Sequence, residues 1–150
     1  MAHTLDFRTC QSSGAATNIP GTPLAIVPAI PTFIGAIGLI VGHASQIRVN
    51  LWITLGLNNI TDNTALVKFF IARNLEPVNN FILSKVFFAA VQEIKAADYL
   101  MTVTLSATDL NPRPEPIPNQ INYSLFVQEQ TGVTVLRNGP ESFSGMAITD

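Results

Sequence analysis

From Gln46 to Leu57 the chain alternates without a break. Ile47, Val49, Leu51, Ile53, Leu55 and Leu57 fall on one parity, and Gln46, Arg48, Asn50, Trp52, Thr54 and Gly56 on the other. A strict period of two over this length puts the apolar set on one face of an extended strand, buried, and the polar set on the other. A helix would scatter the same residues around its circumference. Asn58-Asn59-Ile60-Thr61-Asp62-Asn63 follows with turn chemistry. This one strand therefore needs a sheet to pair with and a second layer to cover its apolar face.

The rest of the body, from Ile19 onward, supplies them. Val67, Phe69 and Ile71 share one face of Ala65–Arg73, with Lys68 and Phe70 on the other. Phe81–Val91 is apolar and aromatic, and its adjacent Phe87 and Phe88 imply a strand covered on both sides. A helix over Val86–Tyr99 is the competing reading, but no cap precedes it and the Phe-rich start favours β. Met101, Val103 and Leu105 alternate with Thr102, Thr104 and Ser106, and Ile121, Tyr123, Leu125 and Val127 alternate with Asn122, Ser124, Phe126 and Gln128. Glu129-Gln130-Thr131-Gly132 suits a hairpin into Val133–Leu136, and a last strand follows Asn138-Gly139-Pro140. Between Asn111 and Asn119 four prolines exclude a central strand. Eight or so short strands with regular turns predict an all-β sandwich or jelly roll spanning 19–150.

Residues 1–18 form a separate unit. Gln11–Asn18 is small and polar, the composition of a flexible connector. Ahead of it, Leu5 and Phe7 share one face of a short alternating piece, with Asp6 and Arg8 on the other. So short a strand is not stable alone in water. It must add to a sheet edge, its own or a neighbour's.

Charge bears on what the surface does. Asp, Glu, Lys and Arg make up 12% of the chain, about half the roughly 25% of an average soluble domain. A surface so poor in charge is expected to be covered by copies of the same chain. The outward Phe70 and Phe126 are the expected oligomer interface. With eight unclustered Lys and Arg residues and a net charge of −2, nucleic acid is not an expected partner. The apolar run Leu24–Val41 approaches the length of a membrane helix, but Pro28 and Pro31 interrupt it and Gly35 and Gly38 follow, so no membrane span is expected. The N-terminus lacks the basic region and apolar core of a signal peptide.

Chemistry has little to stand on. The two histidines, His3 and His43, have no nucleophile motif beside them, and no His, Cys, Asp or Glu grouping has metal-ligand spacing. The chain is read as not an enzyme, with no catalytic or metal-binding residues and no cofactor. Cys10, the single cysteine, can form no disulfide within the chain. Asn59-Ile60-Thr61 is a glycosylation sequon in an accessible-looking turn.

Three stretches carry a family resemblance: Val67-Lys68-Phe69-Phe70-Ile71-Ala72-Arg73-Asn74, Ile121-Asn122-Tyr123-Ser124-Leu125-Phe126-Val127, and the closing Asn138–Ile148 with its Gly139-Pro140 and Phe143-Ser144. Over about residues 45–150 the chain resembles small jelly-roll proteins of the bacterial spore surface. These include exosporium head domains with a trimeric, tumour-necrosis-factor-like fold and the subunits of endospore appendage fibres. The resemblance implies a homotrimer, or a filament built from it, at the spore surface, with the N-terminal arm docked into a neighbouring subunit. Leu5, Phe7 and Cys10 would make that docking contact. Appendage connectors usually hold more cysteines than this one, so a non-covalent connector anchored by Leu5 and Phe7 is the form implied here. The alternative is a trimeric head domain, lectin-like or phage-fibre-like, that binds a carbohydrate or a receptor. Trp52 and the Asn58–Asp62 turn are its nearest candidates.

Overall fold

The computed structural model describes residues 2–10, 24–26, 28–97, 101–114 and 119–149. The strands are β1 (His3–Cys10), β2 (Leu24–Ile26), β3 (Thr32–Ile40), β4 (Ile47–Asn59), β5 (Ala65–Arg73), β6 (Val86–Ile94), β7 (Met101–Leu110), β8 (Gln120–Glu129) and β9 (Val135–Thr149). One 3-10 turn, Leu83–Lys85, leads into β6. The alternation of Gln46–Leu57 becomes β4, and Val86–Ile94 is a strand, not a helix. The apolar run Leu24–Val41 folds as β2 and β3. Among the described residues no helix is long and apolar enough to cross a membrane.

Two antiparallel sheets form. The first runs β1-β9-β4-β7, with β2 also on β9; the second runs β3-β8-β5-β6. From β3 onward only β5 and β6 are both consecutive and hydrogen-bonded neighbours, and every other connection crosses from one sheet to the other. That order is a jelly roll, the fold class expected from the strand pattern. Val49, Leu51, Ile53 and Leu55 of β4 face Val67, Phe69 and Ile71 of β5 and Leu125 and Val127 of β8, all within 1% of complete burial. The sheets meet closely at β9: a Cβ on Gly145 would lie 2.5 Å from Ile37 Cδ1 and 2.8 Å from Leu51 Cδ2. Only a residue without a side chain leaves those two their places.

Bulges adjust this pattern. Phe88 pairs with Ile71 and Val86 with Ala72, which leaves Phe87 as an extra residue in β6. Phe87 and Phe88 consequently both pack against the main core, although they are adjacent in sequence. The two expected closing strands are one 15-residue strand, β9, which takes up Val135 and Leu136 but not Val133 and Thr134. Its pairing with β4 skips from Glu141 to Arg137, whose side chains close the gap with a buried ion pair at 2.8 Å.

The expected hairpin at 129–132 is not there. β8 lies in the second sheet and β9 in the first, so this turn crosses the sandwich. The buried Glu129 carboxylate organises it, accepting from the backbone N–H of Thr131 (2.7 Å), Gly132 (2.7 Å) and Val133 (3.1 Å) and from the Thr131 hydroxyl. A side chain takes the donors that a hairpin ladder would have used.

β1 joins both sheets. It pairs with β9 from His3↔Thr149 to Cys10↔Phe143, with a bulge between Thr4 and Asp6. Asp6 turns inward and accepts from the Ile40 N–H of β3 (2.9 Å), from Phe7 N–H (2.9 Å) and from Arg8 Nε (3.1 Å). Partial burial alone would raise its pKa. The Ile40 N–H, the hydrogen bond and charge of Arg8, and the Phe7 N–H outweigh that and hold it below the usual 3.8. The native state thus binds this proton more weakly than the unfolded chain. The stabilisation is present above pH 4 and disappears as pH falls through the native value. Asp6→Asn should cost roughly 1 kcal/mol. Hydrogen exchange checks it: protection of the Ile40 amide should drop in acid for the wild type and at every pH for the variant.

Candidate assembly surface

Cross-strand register lays out the outer face of the β1-β9-β4-β7 sheet. One row reads Thr4, Ile148, Arg48, Leu110; the next reads Phe7, Met146, Asn50, Thr108. A third reads Thr9, Ser144, Trp52, Ser106, and a fourth, lacking β1, reads Ser142, Thr54, Thr104. Arg48 is the only charged side chain in these rows. Phe7 is 56% exposed, Trp52 37% and Leu110 69%. Hydroxyls tie neighbouring strands across it, Ser144 to Thr9 at 3.0 Å and Thr108 to Asn50 at 3.1 Å. The face is aromatic and hydroxylated, with almost no charge to keep a second copy away.

The opposite face differs. Phe70 and Phe126 do point outward from the second sheet, as alternation requires, but they are 5% and 1% exposed. Phe81, on the loop after Leu75, folds over them with ring centroids 5.2 and 5.1 Å away, and Phe33 stacks edge-on to Phe126 at 5.6 Å. The expectation that these two phenylalanines form an oligomer interface is corrected. They belong to a second core, with Ala72 and Leu75, that the chain covers itself. Farther along the same face, Lys68 and Glu93 bring charge.

Of the residues expected to dock into another subunit, Leu5 and Phe7 lie on the outside of β1, at 36% and 56% exposure. Cys10 does not share their face. It is half-buried against the core, and its Sγ would be 2.9 Å from a Cβ on Gly35. The connector residues 11–18 lie outside the described residues. In this chain β1 fills the edge of its own β9.

The lectin candidates do not come together. Trp52 and Asn58 are separated by about 20 Å of extended strand. The turn itself is self-satisfied: buried Asn59 donates to the carbonyls of Asn63 (2.8 Å), Ile94 (3.2 Å) and Lys95 (3.1 Å) and accepts from Thr61 N–H and Oγ1. With no exposure, Asn59 offers no acceptor for glycosylation in the folded state, contrary to the accessible turn expected. His43 is exposed in the turn before β4.

Neither a protein-family profile nor a curated protein matches the chain. Solved structures similar to it include an arabinose-bound MgGH51 α-L-arabinofuranosidase (14% identity, TM-score 0.41, 95% of this chain but 23% of that one). They include also the Eiger tumour necrosis factor of S. frugiperda (14%, TM-score 0.38, 97% and 89%). A third is the CBM22-1 xylan-binding domain of Paenibacillus barcinonensis Xyn10C (12%, TM-score 0.33, 94% and 83%). This chain thus spans less than a quarter of the arabinofuranosidase. At these TM-scores the fold assignment stands on the strand order itself.

Proposed function

We propose that the protein is a self-assembling structural subunit of an extracellular fibre or coat, with the outer face of the β1-β9-β4-β7 sheet as its contact with other copies. The observation that carries this reading is the four-row face in which Arg48 is the only charge, with Phe7, Trp52 and Leu110 open to solvent. Exposed apolar groups with so little charge among them are what association covers. The resemblance to spore-surface jelly rolls supports a homotrimer as the unit and the spore surface as its place.

Extension into a fibre needs a contact that propagates without closing. β1 is suited to it, because its edge site on β9 is identical in every copy. Handing β1 to the next subunit's β9 replaces one set of pairings by the same set in trans. The segment 11–23 that joins β1 to β2 has a maximum reach of about 45 Å, which sets the upper limit on the span such an exchange can bridge.

The test is light scattering coupled to size exclusion, with negative-stain microscopy, on the full chain. The wild type should be oligomeric at micromolar concentration. The variant Trp52→Glu/Ser144→Glu places two carboxylates side by side on the face and should run as a folded monomer with an unchanged circular dichroism spectrum. A monomeric wild type, or oligomers that persist in the double variant, would overturn the proposal.

A further inference from the structure

A surface cavity of about 360 Å³ opens where β5 ends, the 3-10 turn enters β6 and the loop after β7 begins. Arg73, Lys85 and Arg113 line it, with Asn74, Ser84 and Asn111 between them and Val86 as its aliphatic wall. Three of the chain's eight basic residues therefore converge on one pocket of a protein whose net charge is −2. Among the described residues, neither Lys85 nor Arg113 has an acidic partner.

Arg73 is held in place from below. Its Nε lies 3.4 Å from Asp109 Oδ2, and its guanidinium carbon sits 5.4 Å from the centre of the Phe87 ring. Asp109 also accepts from the Tyr123 hydroxyl at 2.9 Å, and Tyr123 packs against Phe87 with centroids 5.8 Å apart. A guanidinium fixed through Nε and one ring face keeps its terminal nitrogens for a planar anion. The loop is pinned as well. Asn74 Oδ1 accepts from Asn122 N–H (3.1 Å) while its Nδ2 donates to the Arg113 carbonyl (3.0 Å), and Asn111 Oδ1 accepts from Ile47 N–H (3.1 Å). The Ser84 hydroxyl and the Asn111 Nδ2 remain for a neutral polar ligand group.

We propose that this cavity binds a small polyhydroxylated oxyanion, a sugar bearing a carboxylate or a phosphate. Arg73 takes the anion in its fork, Lys85 and Arg113 add charge, and Ser84 and Asn111 meet hydroxyls. The volume suits one small ligand, and three cations converging on one pocket are fewer than the extended basic patch a nucleic-acid strand needs. The site is separate from the assembly face, so either can hold without the other.

Calorimetric titration of the full chain with glucuronate, glucose 6-phosphate and glucose is the test. At least one of the two anions should bind, glucose should not, and added salt should weaken binding. The anion preferred tells carboxylate from phosphate. Lys85→Gln/Arg113→Gln, at two exposed positions, should weaken binding by about tenfold or more with no loss of fold. Arg73→Lys, which keeps the charge but not the fork, should weaken it as well. No heat with either anion, equal binding of glucose, or undiminished affinity in the double variant would overturn the assignment.

Discussion

Phe126→Ala should lower folding stability by about 3–5 kcal/mol, the range for a large aromatic removed from a packed core, and leave the oligomeric state of the folded protein unchanged. The ring is 1% exposed and touches Phe81 and Phe33 edge-on, at 5.1 and 5.6 Å. Each such pair adds about 0.5–1.5 kcal/mol beyond simple burial. Truncation removes both and leaves a hole beneath Phe81, which then has little reason to stay down over Phe70. Urea denaturation measures the loss, and size exclusion of the folded fraction measures association. An interface residue would behave in the opposite way, with association weakened and protomer stability kept. That result would return Phe126 to the surface.

The second large effect belongs to Asp109. Asp109→Ala strands the Tyr123 hydroxyl, on a residue with no exposure, and should cost about 2–3 kcal/mol. Arg73 adds little to that figure, since its side chain is 35% exposed and water can replace the carboxylate. Asp109→Asn keeps an acceptor and should cost less. The pH profile separates the two roles. Burial raises the Asp109 pKa above the usual 3.8 against the opposing pull of Tyr123 and Arg73. The native state therefore holds this proton more tightly than the unfolded chain. Its contribution is full below pH 3.8 and is lost as pH rises through the native value. The penalty of Asp109→Asn should accordingly be largest in acid and shrink toward neutrality. Asp6 drives stability the other way over the same range, so wild type and variant have to be compared at each pH.

Local pattern explains why the strands were legible. Ile47, Val49, Leu51, Ile53, Leu55 and Leu57 are all inward in the structure, as their parity demands. Burial of one sheet face leaves a period-two record in every strand that takes part. The same rule sent Phe70 and Phe126 outward correctly, but parity carries no information about what folds over an outer face. Their cover, Phe81, sits in a loop whose path is set by tertiary packing. The turn after β8 misled for a related reason. Glu129-Gln130-Thr131-Gly132 has hairpin composition, and only the folded position of the Glu129 carboxylate sends the chain across to the other sheet. The basic cavity left no trace at all. Arg73 ends β5, Lys85 lies in the 3-10 turn and Arg113 in the loop after β7, and no spacing rule links them. The charge-poor outer face was half legible: the shortage of charge was plain, but which sheet carried it depended on register.

β1 and β2 pair with the same edge of β9, β1 ending opposite Phe143 and β2 starting opposite Arg137. Together they make one edge strand, and the chain between them begins and ends on that edge. Its length is consequently decoupled from the register of the sheet. Doubling it would add only about 0.6 kcal/mol of closure entropy. A foreign peptide or a small domain spliced in at this point would leave and rejoin every subunit at that one edge. In an ordered assembly that makes this short segment a natural port for multivalent display.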